Sequence, residues 1–371
     1  MVRDYQMCTR CVMDTTDPEI VFDDKGQCNH CTTYFEKEKK MIVRGKEGEE
    51  KLKKLMEQIK EKGKGRKYDS LIGLSGGVDS SYIVFLAKKY GLRPLLLHID
   101  NCYNTEIANK NIDNVVKATN FEIYRYDVNW EEFLDLQLAY LKSGVMDLEA
   151  PTDMALGAIL YDVTDRHGIK TIVSGINFTT EGIMPRAWGW RHDDVANLKD
   201  IYRKYGTKKL REYPMASTFK KRFYYMHLKG IRFATPLNYI DYDKEQAKAT
   251  IKKELGWKDY GLKHGESIYT RFYQFYILPT RFNVDKRKPH LSTLICSGQI
   301  RREEALKELK KPLYTKEQFE ADKTFVLEKM GISEEEFEEY MHLPLRHHRD
   351  FKSDQWLFNL LRTMKRAVSP A

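Results

Sequence analysis

The 371-residue sequence predicts an α/β fold in which helices cover both faces of a parallel sheet. Apolar runs alternate with helical patterns between residues 68 and 174, a glycine-rich turn joins the first run to the first helix, and the last third of the chain is helical in pattern. We divide the chain into a cysteine-bearing module (1–35), an α/β domain with a preceding linker helix (36–240) and a helical C-terminal domain (241–371).

Composition and charge limit the classes of partner. The formal net charge of +9 favours an anionic partner, but it does not choose between nucleic acid, a nucleotide sugar and a charged surface. No apolar run reaches the length of roughly 18 residues that a membrane span needs, and the N-terminal residues lack the apolar core of a signal peptide. We therefore expect a cytoplasmic protein whose cysteines are reduced.

Four cysteines near the N-terminus form two C-x2-C pairs separated by sixteen residues: Cys8, Cys11, Cys28 and Cys31. Each pair can place two thiolates on one turn, and two such turns complete a tetrahedron around zinc. Four protein ligands leave no open position, so the site should be structural, in a zinc-ribbon-like module. The alternatives are four unpaired thiols, or His30 as a ligand in place of Cys31.

The elements that follow are read from apolar periodicity. A charged linker helix carries an apolar stripe and ends near Gly63. Predicted strands are Tyr68–Leu74, Pro94–Asp100, Glu122–Val128 and Thr171–Ser174, and predicted helices between them are Glu106–Thr119, Glu131–Lys142 and Met154–Arg166. Residues 178–235 are expected to form long loops. The C-terminal helices are predicted at Lys244–Leu255, Ser267–Ile277, Arg301–Leu309, Lys316–Met330, Glu334–Tyr340 and Ser353–Ala367.

The most informative segment is residues 74–81, Leu-Ser-Gly-Gly-Val-Asp-Ser-Ser, where the first strand passes into a helix. Glycines let the backbone approach an anion, and the N–H groups at the start of a helix point toward it. The Gly-Lys-Ser/Thr of a Walker loop is absent, and so is the Gly-x-Gly-x-x-Gly of a dinucleotide fold. The segment therefore predicts a different kind of phosphate cradle, with an ordinary strand–turn–helix corner as the alternative.

Three segments should meet at one edge of the sheet. Ser75, Asp100 and the turn at 175–177 each follow a predicted strand. Ligands of parallel sheets bind at the carboxyl ends of the strands, so this edge is the expected site.

The string Ser-Gly-Gly-Val-Asp-Ser resembles the PP-loop of the ATP pyrophosphatases, a superfamily within the HUP-like α/β folds. The resemblance implies ATP as substrate, with Mg²⁺ placed by Asp79 and with pyrophosphate held by the whole loop. The residues so implied are Ser75, Gly76, Gly77, Val78, Asp79, Ser80 and Ser81 for pyrophosphate, His98, Ile99 and Asp100 for adenosine, and Gly175 and Asn177 for a second nucleotide-contacting turn. Glu181 is implied to bind metal or to orient ammonia.

A narrower resemblance rests on several segments together. Seven segments are similar to segments of the N-acetyl sugar amidotransferases of bacterial surface-polysaccharide biosynthesis. They are Met-Cys-Thr-Arg-Cys-Val-Met-Asp-Thr-Thr-Asp-Pro (7–18), Cys-Asn-His-Cys (28–31), His-Ile-Asp-Asn (98–101), Tyr-Ile-Leu-Pro (276–279), Asp-Lys-Arg-Lys (285–288), His-Leu-Ser (290–292) and Cys-Ser-Gly-Gln (296–299). The resemblance implies conversion of an acetamido group to an acetamidino group through an adenylylated imidate. It implies an acidic N-acetyl sugar, nucleotide-linked or nonulosonic, as acceptor.

The resemblance gives catalytic roles to Asp79, Glu181, Lys286 and Arg287. The run 286–288 suits an α-phosphate or a sugar carboxylate, and a solvated surface is its alternative. Trp188, Trp190 and Arg191 are interpreted as a sugar or nucleotide clamp, or equally as core aromatics with a neighbouring charge.

We expect ammonia to come from a partner glutaminase of the kind that feeds imidazole glycerol phosphate synthesis, because no cysteine lies where a glutaminase nucleophile should. The rival enzyme is a PP-loop protein that thiolates tRNA, which would need Cys102 and Cys296 to act as a pair. A nucleic-acid partner is disfavoured on that ground. The non-enzymatic rival is a zinc-ribbon binding module that retains a nucleotide pocket.

Overall fold

The computed structural model of the protein describes residues 4–261 and 265–368, with residues 364–368 described only as backbone. Five parallel strands form one sheet in the order β3-β2-β1-β4-β5. Their bounds are Ser70–Gly73 (β1), Pro94–Asp100 (β2), Ile123–Asp127 (β3), Thr171–Val173 (β4) and Arg232–Ala234 (β5). The predicted α/β fold with a parallel sheet is confirmed, and the four predicted strands are present.

The fifth strand was missed because it carries no apolar signal. Arg232 and Phe233 are exposed, and only Ala234 is buried. Residues 232–234 pair with 171–173 at the edge of the sheet, so the backbone ladder holds this strand rather than a buried face.

Alternate strand residues face opposite layers of helices, as a period of two requires. Leu71 and Leu97 enter one apolar core, and Ile72 and Leu96 enter the other. Helices therefore cover both faces of the sheet. The helices up to the last strand are Asn29–Met41 (α1), Gly45–Lys62 (α2), Val78–Lys89 (α3), Glu106–Thr119 (α4), Trp130–Ser143 (α5), Ala150–Arg166 (α6), Phe178–Glu181 (α7) and Val195–Tyr205 (α8).

Residues 178–235, expected as loops, contain regular structure. Besides α7, α8 and β5, they form a π-helical segment at Lys220–Leu228. The expectation was wrong because aromatic and basic residues interrupt the apolar stripes that mark helices in sequence.

The C-terminal region is helical, as predicted. Its helices are Lys244–Leu255 (α9), Ile268–Phe272 (α10), Leu278–Phe282 (α11), Arg287–Cys296 (α12), Arg302–Leu309 (α13), Lys316–Met330 (α14), Glu334–His342 (α15) and Gln355–Val368 (α16). A π-helical turn, Tyr273–Ile277, joins α10 to α11. Helix α12 was missed, because its first turn is the cationic run followed by a proline.

The domain boundaries at 35 and 240 remain predictions. Helix α9 lies just after the second boundary, yet Ala247, Ile251 and Leu255 pack in the same apolar core as α3 and α4. Within the described ranges, no helix is long and apolar enough to cross a membrane.

Candidate active site

The turn between β1 and α3 has the close backbone packing that its glycines predict. Gly76 has a φ of +82°, and a Cβ at this position would lie 2.6 Å from the carbonyl oxygen of Ala108. The carbonyl oxygen of Gly76 accepts hydrogen bonds from Trp257 Nε1 at 2.8 Å and from Asn111 Nδ2 at 3.5 Å. A side chain cannot enter here without moving backbone, so the shape of the loop requires glycine.

The first turn of α3 is open toward an anion. Gly77 occupies the N-cap position, and no side chain of the described residues caps the helix, which leaves the N–H groups of the first turn for a ligand. The Ser75 hydroxyl lies 3.2 Å from the Ser80 hydroxyl and accepts from Gly77 N at the same distance. Ser75 and residues 77–80 line a cleft of about 610 Å³, which we call the phosphate cleft.

Ser81 does not line this cleft. Its side chain is fully buried on the covered side of α3. Its hydroxyl has no hydrogen-bond partner in the part of the chain that the structure describes. The predicted contact of Ser81 with pyrophosphate is corrected accordingly, because the helical period turns this position away from the loop.

Asp79 lines the phosphate cleft, and Tyr242 and Gly175 lie against it. The hydroxyl of Tyr242 donates to its Oδ1, and burial together with the neighbouring Asp79 charge raises the pKa of that hydroxyl. A Cβ at Gly175 would lie 2.9 Å from the Asp79 carbonyl carbon. Gly175 therefore lets the turn after β4 reach α3, and Gly175 and Glu181 both line the cleft.

Asn177, predicted as a nucleotide contact, is a buried helix cap. It is 1% exposed, and its Oδ1 accepts from Thr180 N at 2.9 Å and from the Thr180 hydroxyl at 3.0 Å. Its amide is used within the turn, so it shapes α7, the helix that ends at Glu181.

The residues predicted for adenosine have separate surroundings. His98 and Ile99 line a second, larger cavity, but Asp100 lines neither cavity and accepts a hydrogen bond from Cys102 N at 2.7 Å. His98 is held between the Leu74 carbonyl oxygen (3.0 Å) and Asn104 Nδ2 (3.1 Å). Burial lowers the pKa of His98, so the imidazole is neutral at physiological pH.

This larger cavity, of about 1380 Å³, adjoins the phosphate cleft. Ser75, Glu181, Glu266 and His290 line both spaces. The sequence gives no role to Glu266, and it marks His290 only as part of a segment that resembles the sugar amidotransferases, because neither residue follows a strand. A phosphate held by the loop can therefore meet a second molecule held in the large cavity.

The residues of the cationic run 286–288 have different partners. Lys286 and Arg287 both line the large cavity. The Arg287 guanidinium is held by the Asp285 carboxylate, with Nη2 to Oδ2 at 2.8 Å, and by the carbonyl oxygen of Lys311, with Nη1 at 2.8 Å. Lys288 pairs with the buried Asp14. The Arg287 guanidinium therefore ties α12 to the chain around α13 while it lines the cavity, and its catalytic role remains a prediction.

One wall of the large cavity is acidic, and no sequence pattern had marked it. Asp147, Glu149 and Asp153, at the start of α6, line it together with His192. His192 lies 3.4 Å from a carboxylate oxygen of Asp147 and 3.4 Å from one of Asp153. Burial opposes protonation of His192, but the hydrogen bond and charge of Asp147 and the charge of Asp153 raise its pKa to about 9.

The three residues predicted as a clamp, Trp188, Trp190 and Arg191, all line the large cavity. The Trp190 ring also stacks on His348 at 5.1 Å and 6°. The Arg191 guanidinium is paired with Asp193 and Asp354. Arg191 therefore ties the loop to the residues preceding α16.

The four cysteine sulfurs lie within 4.8 Å of one another and can hold a metal ion. Sγ–Sγ distances are 3.9 Å for Cys8 and Cys31 and 3.6 Å for Cys11 and Cys28. Tetrahedral zinc with bonds of about 2.3 Å requires about 3.8 Å between sulfurs, so the spacing fits. His30 is not one of this group, since its Nε2 lies 2.6 Å from Asp17 Oδ2.

The cysteine module is fastened to α12, the helix that follows Lys286. Ser292 Oγ accepts from Val12 N at 3.2 Å, and Arg302 donates to the Cys11 and Cys8 carbonyl oxygens, each at 3.0 Å. Cys296 Sγ lies 3.8 Å from Cys31 Sγ, which makes it a fifth thiol beside the cluster. A metal held by this module would support one wall of the large cavity.

A family model and one curated protein match parts of this chain. Residues 266–365 match a family model described as the C-terminal domain of WbpG-like LPS biosynthesis proteins. This segment contributes Lys286, His290 and side chains of α16 to the large cavity. An uncharacterized protein of Methanocaldococcus jannaschii is 27% identical over 328 residues, which cover 84% of this chain and 96% of that protein.

Two solved structures also align with the chain. NMN synthetase from Francisella tularensis covers 58% of this chain and 98% of its own, at 14% identity and a TM-score of 0.29. NH3-dependent NAD synthetase from Campylobacter jejuni subsp. jejuni covers 72% and 99%, at 16% identity and a TM-score of 0.32. At these scores the alignments carry no weight for function, and the parallel strand order itself establishes the fold class.

Proposed function

We propose that this protein is an ATP-dependent amidotransferase that converts the acetamido group of an acidic N-acetyl sugar to an acetamidino group, releasing AMP and pyrophosphate. One observation carries the proposal: the uncapped phosphate loop opens into a large cavity of mixed charge. The match of residues 266–365 to WbpG-like LPS biosynthesis proteins supports a role in the synthesis of lipopolysaccharide O-antigen sugars.

The first step is adenylylation. The acetamido oxygen attacks the α-phosphorus of ATP, the P–O bond to the β-phosphate breaks, and pyrophosphate leaves. The N–H groups at the start of α3, the hydroxyls of Ser75 and Ser80, and the nearby Lys244 line the phosphate cleft, where the leaving charge gathers. Asp79 is the proposed ligand of Mg²⁺, which would neutralise the same charge when bound.

In the second step, ammonia attacks the imidate carbon and AMP leaves. We propose that a separate glutaminase, similar to the one that serves imidazole glycerol phosphate synthesis, delivers this ammonia. Glu181 and His290 line both spaces where the two steps meet. Confinement of the imidate between them would limit its hydrolysis by water.

The acidic character of the proposed sugar fits the cations of the large cavity. Arg186, Lys286, Arg349 and Arg362 line it, and none of these side chains forms a salt bridge with a carboxylate of the described residues. These cations suit the carboxylate of the sugar or the phosphates of a nucleotide-linked form. Zinc is the proposed metal of the cysteine module, with a structural role.

The thiolation rival needs two cysteines that act together. Cys296 is buried beside Cys31, whereas Cys102 is exposed after β2, near Asp100. Their different surroundings favour amidation over sulfur transfer.

The experiment is incubation of the protein with ATP, ammonium and a panel of acidic N-acetyl sugars, free and UDP-linked. We expect AMP and pyrophosphate only with a matching sugar, and a product whose mass shows oxygen replaced by NH. Glutamine should replace ammonium only after a glutaminase is added. Sugar-independent AMP release, or none with any sugar, contradicts the proposal.

A further inference from the structure

The acidic wall of the large cavity, formed by Asp147, Glu149 and Asp153 with His192, is not explained by phosphate binding. Carboxylates repel phosphates, so these residues must face a different part of the reactants. Two of the three already share the His192 ring, at 3.4 Å each. Among the described residues, Glu149 is the one carboxylate of this wall that forms no salt bridge.

Glu149 is held in one orientation by two neutral donors. Thr270 Oγ1 donates to its Oε1 at 2.6 Å, and Gln274 Nε2 donates to its Oε2 at 3.2 Å. A carboxylate offers about four acceptor positions, so these bonds leave lone pairs for a ligand. Both donors lie on α10 and the π-helical turn after it, within the segment that matches WbpG-like proteins.

The surroundings of Glu149 give it the protonation behaviour of a base near neutral pH. Burial raises its pKa to about 7, the charge of Asp153 adds to this, and the Thr270 hydrogen bond and the charge of Lys286 oppose it. The hydroxyls of Tyr269 and Tyr273 are the other titratable groups beside it, and both have pKa values raised by burial. A base is most effective when its pKa lies near the working pH.

A second observation points to a ligand in this cavity. Trp188, which is 1% exposed, lines the cavity, and among the described residues its indole N–H has no acceptor. A buried donor without a partner costs free energy unless a ligand supplies the acceptor. The one N–H donor of this wall complements the oxygen acceptor of an acetamido group. Its several carboxylates complement the cationic nitrogen compound that reacts with that group.

We infer that Glu149 is a further catalytic residue, which takes a proton from the ammonium ion that enters the site. The inference rests on the proposed function. The acetamido N–H proton passes to solvent during adenylylation, which leaves a neutral imidate. The Glu149 carboxylate removes one proton from ammonium, and the nitrogen lone pair then forms a C–N bond to the imidate carbon. One proton passes from this nitrogen to the imidate nitrogen, the C–O bond breaks with its electrons going to AMP, and the product is a cationic amidinium. The acidic wall stabilises that charge as it forms.

The test separates the two chemical steps. We compare Glu149→Gln, which keeps the side-chain volume, with Asp162→Asn, a control on the same helix whose carboxylate pairs with Arg166 at the surface. The first variant should lower kcat/KM for ammonium by about 100-fold or more, while sugar-dependent exchange of pyrophosphate into ATP continues. The control should match the wild type in both assays.

A pH profile provides the second readout. The wild-type kcat/KM for ammonium should fall on the acidic side of about pH 7, and Glu149→Gln should lack this limb. Thr270→Val removes a hydrogen bond that lowers the pKa of Glu149, so it should move the acidic limb of the pH profile to higher pH. This variant keeps the inference testable if Glu149→Gln does not fold.

The outcomes distinguish the two proposals. If the wild type shows neither sugar-dependent exchange nor AMP formation, the proposed function fails. If the wild type reacts but Glu149→Gln retains its kcat/KM for ammonium, or Thr270→Val leaves the limb in place, the inference about Glu149 is overturned. Equal loss of exchange and of ammonium use in Glu149→Gln also overturns it, because that pattern indicates a structural role.

Discussion

Replacement of Gly76 by alanine tests the architecture of the phosphate loop. The added Cβ would lie 2.6 Å from the Ala108 carbonyl oxygen, whereas ordinary contacts begin at 3.4 Å, so loop or helix must move by about 0.8 Å. A side chain at a φ of +82° costs about 1–2 kcal/mol, and backbone displacement in a packed region adds about 1–3 kcal/mol. We expect the free energy of unfolding to fall by about 2–5 kcal/mol.

The matched control is Gly91→Ala. Gly91 has a φ of +66°, but nothing lies within 4 Å of the position that a Cβ would take there, so only the dihedral cost of about 1–2 kcal/mol applies. Urea unfolding followed by tryptophan fluorescence measures both variants, and the KM for ATP should rise only in Gly76→Ala. Equal unfolding free energies within about 0.5 kcal/mol, with an unchanged KM for ATP, would refute the reasoning.

The remaining predictions concern the cationic run, the cysteine cluster and a buried histidine. Lys286→Met should lower turnover by about 100-fold without changing the midpoint of urea unfolding. Arg287→Met should instead lower the free energy of unfolding by about 2–3 kcal/mol, because several hydrogen bonds of the guanidinium are lost. Metal analysis should find about one zinc per chain in the wild type and in Cys296→Ala, but none in Cys28→Ala. Zinc retained in Cys28→Ala contradicts the assignment of the cysteine ligands. Removal of zinc by a chelator should lower activity, because α12 is displaced. Burial lowers the pKa of His348 to about 4, below its unfolded value near 6.5, so the unfolded state binds more protons in that interval and stability should fall as pH drops from about 6.5 to 4. In urea titrations, His348→Gln should reduce the loss of unfolding free energy between these pH values by about 3 kcal/mol. An unchanged dependence of the unfolding free energy on pH would contradict the prediction.

Local features of the sequence were sufficient for strands β1 to β4, the phosphate loop and the cysteine cluster, but not for β5. Apolar runs marked β1, β2 and β4 because both faces of those strands are buried, whereas alternation marked β3, which is only partly buried. The glycines at 76 and 77 marked the loop, and Gly76 has a positive φ that few other residues adopt. The spacing of Cys8, Cys11, Cys28 and Cys31 predicted a cluster of four sulfurs without information from the rest of the chain, and the four sulfurs do lie together.

Roles that depend on distant partners were not accessible in this way. Lys286, Arg287 and Lys288 are equivalent as a charged run, yet the first two line the large cavity, the second is also held by Asp285 and the third pairs with Asp14. Asn177 was read as a ligand contact because it follows a strand, but its amide caps α7. In each case the role is set by the nearest available donor or acceptor, and that partner lies in another element or turn.

The amino-acid sequence by itself determined the α/β fold, the anion-binding turn and the thiol quartet, because backbone conformation and apolar period are encoded over a few neighbouring residues. Only the tertiary structure decided which charges face the large cavity, and it alone assembled the acidic wall from α6 and the segment that carries His192. The physical reason is that burial and charge pairing depend on contacts between residues far apart in the chain, and these contacts exist only once the helices have packed on the sheet.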